Sequence, residues 1–558
     1  MNALVVQPRR LLMSARRDGA CSIRTPVGDS LDVTDYSPLP MLDDLAELER
    51  ELIDAARAGD APAGSGLTVE ELAEDNDPAH EIRARLLREM LLGQRGTLDP
   101  KGIRVQGARI TGTLDLDNVA ACTGLSVTSC VVTSTITAWY ASLSWLRLAH
   151  CRVGNVYADG IRLVSGMWLD SLRVTGTGSA GAVRLPGSHI GGVLDLSRTE
   201  IINETGPALF APGLRVDGNM WLRNARLGGV SERGTIQLFQ AHVGGALILR
   251  GAEITNRAGS ALSADQLKVE AGLNLDEVHV VGGGRHGAIR LIGARVGGML
   301  SALESEFTND DGLVLDIENT HVESKVFLPI TVLCSGFRPN QSCDRSKCVD
   351  INGFQFGALE MMPYRAMPWQ EWLHLIRCHT KAYRPGPYQQ LAAAERAAGH
   401  DGNARRILIA QQRDLYDRAP KALGNWLTRR FHWIWGVLAG YGYLTRRTAA
   451  ALLITLAVSG GLGLWAGHVT DGGHHIAERT GTFTDATGRP CTSVELIGLG
   501  LDRGLPLATN GVRNRCDLNP DTNLAAKFTV AIWLTQAMIW GLATLALAGY
   551  TGLVRRTT

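Results

Sequence analysis

A 21-residue phrase returns every 53 positions, and no other feature constrains the fold of this chain as tightly. Gly181 opens GAVRLPGSHIGGVLDLSRTEI, Gly234 opens GTIQLFQAHVGGALILRGAEI and Gly287 opens GAIRLIGARVGGMLSALESEF. A second phrase keeps the same interval: GIRLVSGMWLDSLRV from Gly160 returns as GLRVDGNMWLRNARL from Gly213. Self-similarity at a fixed period marks stacked supersecondary units, each too small to bury its own apolar face. Within one unit Val183, Leu185, Ile190, Leu194, Leu196 and Ile201 fall in pairs or at short intervals, separated by turns of Gly, Ser and Asp. That is the spacing of short strands with alternate residues inward. Each unit is expected to hold two coils of about 20 residues plus turn insertions such as INETG and GGVSER. VQGARITGTLDLDNV is a looser early copy. The predicted fold class is mainly β with α: a right-handed parallel β-helix of roughly nine to eleven coils. A β-sandwich has no reason to repeat at a fixed period.

Two segments near the C-terminus add a membrane. Thr448–Gly467 and Phe528–Val554 run 20 and 27 residues without a charge, and about 20 apolar residues cross a bilayer as a helix. Arg429, Arg430, Arg446 and Arg447 precede the first, and Arg555 and Arg556 follow the second. The positive-inside rule then puts both flanks in the cytoplasm and the intervening loop outside. The opening residues MNALVVQPRRLLMSARR hold an apolar run of only four, short of the about 7–15 of a secretory signal. The expected location is a bacterial inner membrane, with two spans and both termini cytoplasmic.

The expected order is a flexible segment over 1–40, a helical cap over 41–98 and the β-helix over 99–333. A Cys-containing connector over 334–362 and a helical hairpin over 363–420 follow. Then come an interfacial basic and aromatic helix over 421–447, a span over 448–467, an extracytoplasmic loop over 468–525, a second span over 526–554 and a cytoplasmic tail over 555–558. In the cap, Leu86, Leu87, Met90 and Leu91 recur at helical spacing and the acidic residues read as a solvated face. Gly399 and Gly402 bracket the hairpin turn. Trp426, Trp433 and Trp435 beside Arg429 and Arg430 suit a bilayer interface.

RARLLREMLLG followed by DPKGIRVQGARITGTLDL, then PGPYQQLAAAERAAGHDGNARRILIAQQRD at 385–414, then LDRGLP at 501–506, together resemble an actinobacterial family of pentapeptide-repeat-like β-helix membrane proteins. The resemblance covers most of the chain beyond about residue 75. Its motifs are structural rather than chemical. Some members carry the name membrane-associated oxidoreductase, which implies redox activity without naming residues for it. Coils with insertions depart from strict five-residue repeats.

Two stretches spell the dinucleotide fingerprint G-x-G-x-x-G: Gly176, Gly178, Gly181 and Gly282, Gly284, Gly287. A nucleotide site needs a helix after the last glycine, whereas strand and turn text follows here. The two lie 106 residues apart, twice the period, and the middle copy reads Gly229, Ser231, Gly234. They are read as one recurring solenoid turn, and no cofactor or catalytic residue is predicted.

Cys491 and Cys516 lie in the outer loop, where a disulfide is expected. Cys334, Cys343, Cys348 and Cys378, the last followed by His379, are weak candidate zinc ligands, since their spacing matches no ribbon with tight C-x2-C pairs. Cys122, Cys130 and Cys151 read as core. His468, His474 and His475 read as solvated loop residues, and Asp115 and Asp195 as outward surface charge. Residues 101–330 carry 20 Lys and Arg against 21 Asp and Glu. That balance fits neither a nucleic-acid binder nor an acidic mimic of one.

Gly498, Leu499, Gly500 and Asp502 raise a channel filter, but the loop shows no pore helix in its sequence. Gly463 and Gly467, with Ala537 and Gly541, allow close helix packing and oligomerisation through the spans. The functional expectation is a membrane-anchored scaffold or sensor, bound to the lipid bilayer and presenting its solenoid to an unidentified protein partner. It points away from an enzyme. An oxidoreductase, by family name alone, and a transport or channel component are the alternatives.

Overall fold

The computed structural model describes residues 41–62, 64–309, 312–334, 348–361, 365–366, 368–443, 445–471, 474–479, 490–504, 512, 515–518 and 523–551. The 1–40 segment, Cys343 and the 555–558 tail lie outside the described residues. The chain forms two compact units that meet in sequence at Lys381 and Ala382.

The first unit is a parallel β-helix of about nine turns. One coil makes four short strands, Glu200–Asn203, Leu209–Phe210, Arg215–Val216 and Met220–Trp221. Each stacks in parallel on its equivalent in the next coil, giving four columns. The first two columns are ten-stranded sheets, and the third and fourth belong to one 19-stranded sheet. Alternation sends every second residue of a strand inward, two in the four-residue strands. Ile201, Leu227, Ile254, Val280 and Phe307 lie one above another in the first column. Leu194, Met220, Leu247, Leu273 and Leu300 do so in the fourth. All ten are buried, and each such side chain contributes about 1.5–3 kcal/mol. Single residues in the left-handed region turn the chain at corners, as at Arg198 (φ 56°) and Asn224 (φ 52°).

Coil length changes along the rod. In the first column, partners are 22 residues apart at Arg109 and Val131, then 21 at Val131 and Arg152, and 21 at Arg152 and Arg173. From Arg173 the spacing becomes 27 to Glu200, 26 to Arg226, 27 to Glu253, 26 to His279 and 27 to Glu306. One coil of 26 and one of 27 make the 53-residue period. The long coils are therefore coils of about 20 residues with turn insertions, as expected, and INETG and GGVSER are two of those insertions. They add five or six residues at one corner, between the first and second columns.

That corner alternates two solutions. Two positions after the inward residue of the first column stands Asn203, Asn256 or Asn309 in one coil and Gly176, Gly229 or Gly282 in the next. Asn256 Nδ2 donates to Ser231 O at 2.8 Å and Ser260 O at 2.7 Å, and its Oδ1 accepts from the N–H of Ala258 at 2.9 Å. Asn203 Nδ2 does the same for Gly178 O and Pro207 O, both at 2.8 Å. Asn309 serves His286 O at 2.8 Å and Leu313 O at 2.6 Å. A buried corner leaves its backbone groups without water, so a side chain must satisfy them.

The outward residues also alternate. Arg173, Glu200, Arg226, Glu253, His279 and Glu306 follow one another up the first column. Arg173 meets Glu200 at 3.0 Å and Arg226 meets Glu253 at 2.9 Å. In the third column Asp217 bridges His189 at 2.8 Å and Arg215 at 2.9 Å, and 53 residues on Glu270 bridges His242 at 3.0 Å and Lys268 at 2.5 Å.

Helices close both ends of the rod. At the N-terminal end are α1 (Glu47–Ala58), α2 (Val69–Glu74) and α3 (Ala84–Leu91). α3 buries Leu86, Leu87, Met90 and Leu91, and the strand Glu81–Arg83 joins the first column beside Arg109–Thr111. The acidic face is not wholly solvated, because Glu49 and Glu89 are buried. Arg83 Nε and Nη2 lie 2.9 and 2.6 Å from Glu49. Burial opposes ionisation of Glu49, yet Arg83 and two backbone N–H groups hold its carboxyl below the ordinary value. At the other end come α4 (Ile330–Leu333) and α5 (Trp369–Cys378). Trp372 of α5 stacks on Phe354 at 6.2 Å and tilts against Phe356 at 5.6 Å, covering the last apolar layer. Cys130 and Cys151 are core residues, but Cys122 is exposed at a corner.

The second unit is helical. α6 (Pro385–Ala397) and α7 (Asp401–Arg418) form a hairpin turning at Gly399 (φ +81°). Gly402 lies inside α7. Tyr388 Oη donates to Asp414 at 2.5 Å between the two helices. α8 (Trp426–Ala439) exposes Trp426, Leu427, Phe431 and Trp433, and Arg429 lies over Tyr416 at 5.4 Å. α9 (Thr445–His468), α10 (Ser493–Gly504) and α11 (Asn523–Thr551) follow. Arg446–His468 and Leu524–Leu547 are long and apolar enough to cross a membrane.

Replacing Asn256 with Ala leaves the buried Ser260 carbonyl without its donor and frees the part-buried Ser231 carbonyl and Ala258 N–H. At about 1–3 kcal/mol for a buried unsatisfied group, the variant is expected to lose at least about 1 kcal/mol. A lowered midpoint of β-structure loss on urea titration of the purified chain checks this.

Candidate functional site

Three places gather the residues singled out by sequence. The first is the G-x-G-x-x-G turn. Gly181 leads into the strand Val183–Arg184, and Gly287 into Ile289–Arg290. No helix N-terminus follows either. The glycines answer to packing instead. A Cβ on Gly176 would stand 2.4 Å from Asn155 Oδ1, and one on Gly282 would stand 2.6 Å from Ala288 Cβ. Gly178 is held from the next coil, with its N–H donating to Asn203 Oδ1 at 3.2 Å.

The second place is the C-terminal end of the β-helix. Cys334, His374 and His379 bring one donor atom each within 4.8 Å of one another. Cys334 ends α4, with its N–H donating to Ile330 O at 2.7 Å. His379 ends α5, donating to Leu375 O at 2.9 Å and accepting at its carbonyl from Val349 N at 2.7 Å. Val349 belongs to the strand Cys348–Asp350, at the end of the second column. Cys334 and His379 are buried, His374 half-buried, and the two rings lie 5.5 Å apart. Burial, then the nearby His379 and Arg377, lower the His374 pKa from its ordinary value, favouring neutral imidazole.

This group is not the four cysteines expected from sequence. It includes Cys334 but neither Cys348 nor Cys378, which are half-buried. His374 and His379 are legible in the sequence only as H-x4-H at the end of an amphipathic helix, 40 residues beyond Cys334. Chain separation hides the third donor. It is the one group of three such donors among the described residues. His468 points Nδ1 at Leu464 O at 2.9 Å, and the backbone N–H of His475 donates to Glu478. Asp115 is exposed and pairs with Arg88 at 2.8 Å, and Asp195 is half-buried.

The third place is the helical assembly of α9, α10 and α11. The loop expected between the spans contains α10. Ser459 Oγ donates to Gly500 O at 2.7 Å. A Cβ on Gly500 would stand 2.1 Å from Ser459 O, one on Gly463 2.2 Å from Leu496 O, and one on Gly467 2.1 Å from the Leu496 side chain. α10 therefore runs antiparallel along α9, from the level of Gly467 to that of Ser459. Nine helical residues from the end of α9 is about 13 Å at about 1.5 Å per residue. Gly504 reaches α11, where a Cβ would meet Ile539 at 3.3 Å. Cys491, two residues before α10, is bonded to Cys516, with Cα atoms 6.2 Å apart. Cys516 is buried with Leu496, Leu499, Ile476 and Leu518. Arg503 pairs with Asp517.

The chain matches no family model, no curated protein and no solved structure. Function therefore rests on geometry.

Gly461 and Gly463 of α9 separate packing from propensity. Nothing stands within 4 Å of a Cβ on Gly461, so Gly461→Ala gains helix propensity, about 1 kcal/mol. Gly463→Ala drives a methyl into backbone and is expected to cost about 1–3 kcal/mol net. Thermal melts in detergent should move in opposite directions, with the 490–504 segment becoming protease-sensitive only in Gly463→Ala.

Proposed function

We propose that the chain is a membrane-anchored β-helical scaffold or sensor, held at the cytoplasmic face of a bacterial inner membrane and presenting its solenoid to a protein partner. The observation that carries this reading is the joining, in one chain, of a closed parallel β-helix to two helices of membrane-spanning length and apolarity. A solenoid offers an extended regular surface; this one alternates Arg or His with Glu up its first column and sets His, Arg and Lys above one another in its third. Arginines flanking both apolar helices support cytoplasmic termini. The Cys491–Cys516 bond supports an oxidising side for the loop between them. Resemblance to the pentapeptide-repeat-like membrane proteins supports the same architecture. The oxidoreductase reading rests on the name of some of those proteins alone.

Tyr140, Val164, Val230 and Met299 are exposed apolar residues on the β-helix. Photo-crosslinkers placed at these positions in living cells are expected to give one discrete protein adduct, from neighbouring positions only. Adducts at none of the four, or a smear at all of them, overturn the scaffold reading.

A second reading is favoured by α10. A short helix lying along the first apolar helix, from the level of Gly467 to that of Ser459, is more than a simple anchor needs. This is the arrangement of a pore-forming hairpin that assembles from several copies. Reconstituted protein is then expected to pass ions across liposomes, with Gly463→Ala abolishing the flux. Tight vesicles with wild-type protein overturn this second reading and leave the first standing.

A further inference from the structure

We propose that Cys334, His374 and His379 bind a divalent transition metal, zinc by preference, that clips α4 to α5 where the β-helix ends. The donors are one thiol and two imidazoles, the sulfur and nitrogen set that suits zinc among biological divalent ions. They come from two helices that cover the end of the rod, and 45 residues separate the outermost pair.

Two of the three donors are fixed through their own backbones. Cys334 is locked at the end of α4 by its bond to Ile330 O, and His379 at the end of α5 by Leu375 O and Val349 N. His374 lies on the same helix as the approach to His379, five residues earlier, so both rings face one point from a single element. The present separations, up to 4.8 Å, exceed the about 3.3–3.7 Å that bonds of about 2.0–2.3 Å give a tetrahedral ion. Ring rotation of about 1 Å at the imidazole nitrogens closes that gap. A water completes the fourth position.

Binding follows from simple charge balance. The Cys334 thiol gives up one proton to solvent, the sulfur donates its electron pair to the metal, and both imidazoles bind in their neutral form. No oxidant or reductant takes part. A thiolate at a site this buried is costly alone and favourable beside a dication. The ion then links two segments that the chain otherwise joins only through a long excursion, and it fixes α5 with Trp372 over Phe354 and Phe356. Its role is to hold the cap shut.

The test uses the full chain in detergent, reduced with a phosphine and stripped with a chelator. Titration with cobalt(II) is expected to reach one ion per chain, with a thiolate charge-transfer band and the visible bands of a tetrahedral ion. Cys334→Ser should remove the charge-transfer band, and His379→Gln should weaken binding more than about 100-fold, since even outer-shell changes cost 10–100-fold. Cys348→Ser and Cys378→Ser should leave both spectra unchanged. Failure of the wild type to take up one ion, retention of the charge-transfer band in Cys334→Ser, or its loss in Cys348→Ser overturns the site. Should the variants fold poorly, the wild type alone decides. Zinc is expected to slow alkylation of Cys334 at least tenfold by mass spectrometry, and an unchanged rate overturns the proposal.

Discussion

In-register stacking is the constraint on which the rest of the β-helix depends. Each residue in a column lies about 4.8 Å from its counterpart one coil away, so every choice is made against a copy of itself. For apolar residues this is favourable, and the inward columns of Ile, Leu, Val and Met run from end to end. For charges it is not, because like charges directly opposite each other destabilise a sheet. A sequence repeating every coil would stack Arg on Arg and Glu on Glu. Repeating every second coil instead stacks Arg173 on Glu200 and Arg226 on Glu253. Each exposed pair contributes little by itself. Alternation avoids like-charge stacking in the first column from Arg173 onward, whereas Arg152 lies against Arg173 and, in the third column, Lys268 lies against Arg295.

The same logic reaches the corners. Where the chain bulges between the first and second columns, an amide in one coil serves carbonyls in its own turn and in the turn below, and the neighbouring coil has glycine at the equivalent position. Gly176 and Asn203 are one such pair. The glycine spelling that suggests a nucleotide loop is the small half of this alternation. A motif defined by spacing alone cannot separate the two cases. The element after the last glycine does separate them: a helix in a nucleotide loop, a strand in this chain.

Periodicity makes the rod legible. The paired spacing of Leu194, Leu196 and Ile201 points to strands, and the fixed interval to stacking. Coil length is legible as well, with INETG and GGVSER standing out as insertions, but not that every insertion falls at one corner, because that corner carries no strand pattern and the earliest coils lack the extra residues. α10 reads as loop because SVELIGLGLDRG holds three glycines, which weaken an isolated helix. In the structure Gly500 and Gly504, with Gly463 and Gly467, let α10 press against α9, so packing overrides propensity. Glu49 and Glu89 read as solvated because sequence does not show that Arg83 returns to the first and that Arg95 donates from Nε to the second at 2.9 Å. The Cys334, His374 and His379 group lies across the closing of the rod, and only the fold assembles it. Cys130 and Cys151 are legible as core because they are set in strand text.

The change from short to long coils at Arg173 gives the rod a direction. Before it the edge between the first and second columns is smooth. Beyond it every coil adds a bulge at that edge, alternately Asn-based and Gly-based, so a ridge runs along one side with markings that recur every second coil. At about 4.8 Å per coil, the markings stand about 9.6 Å apart. A molecule lying along this ridge can shift only in whole steps of that length and meet the same surface again. The rod thus works as a graduated rule with a blank end, able to fix both the position and the orientation of whatever is laid against it.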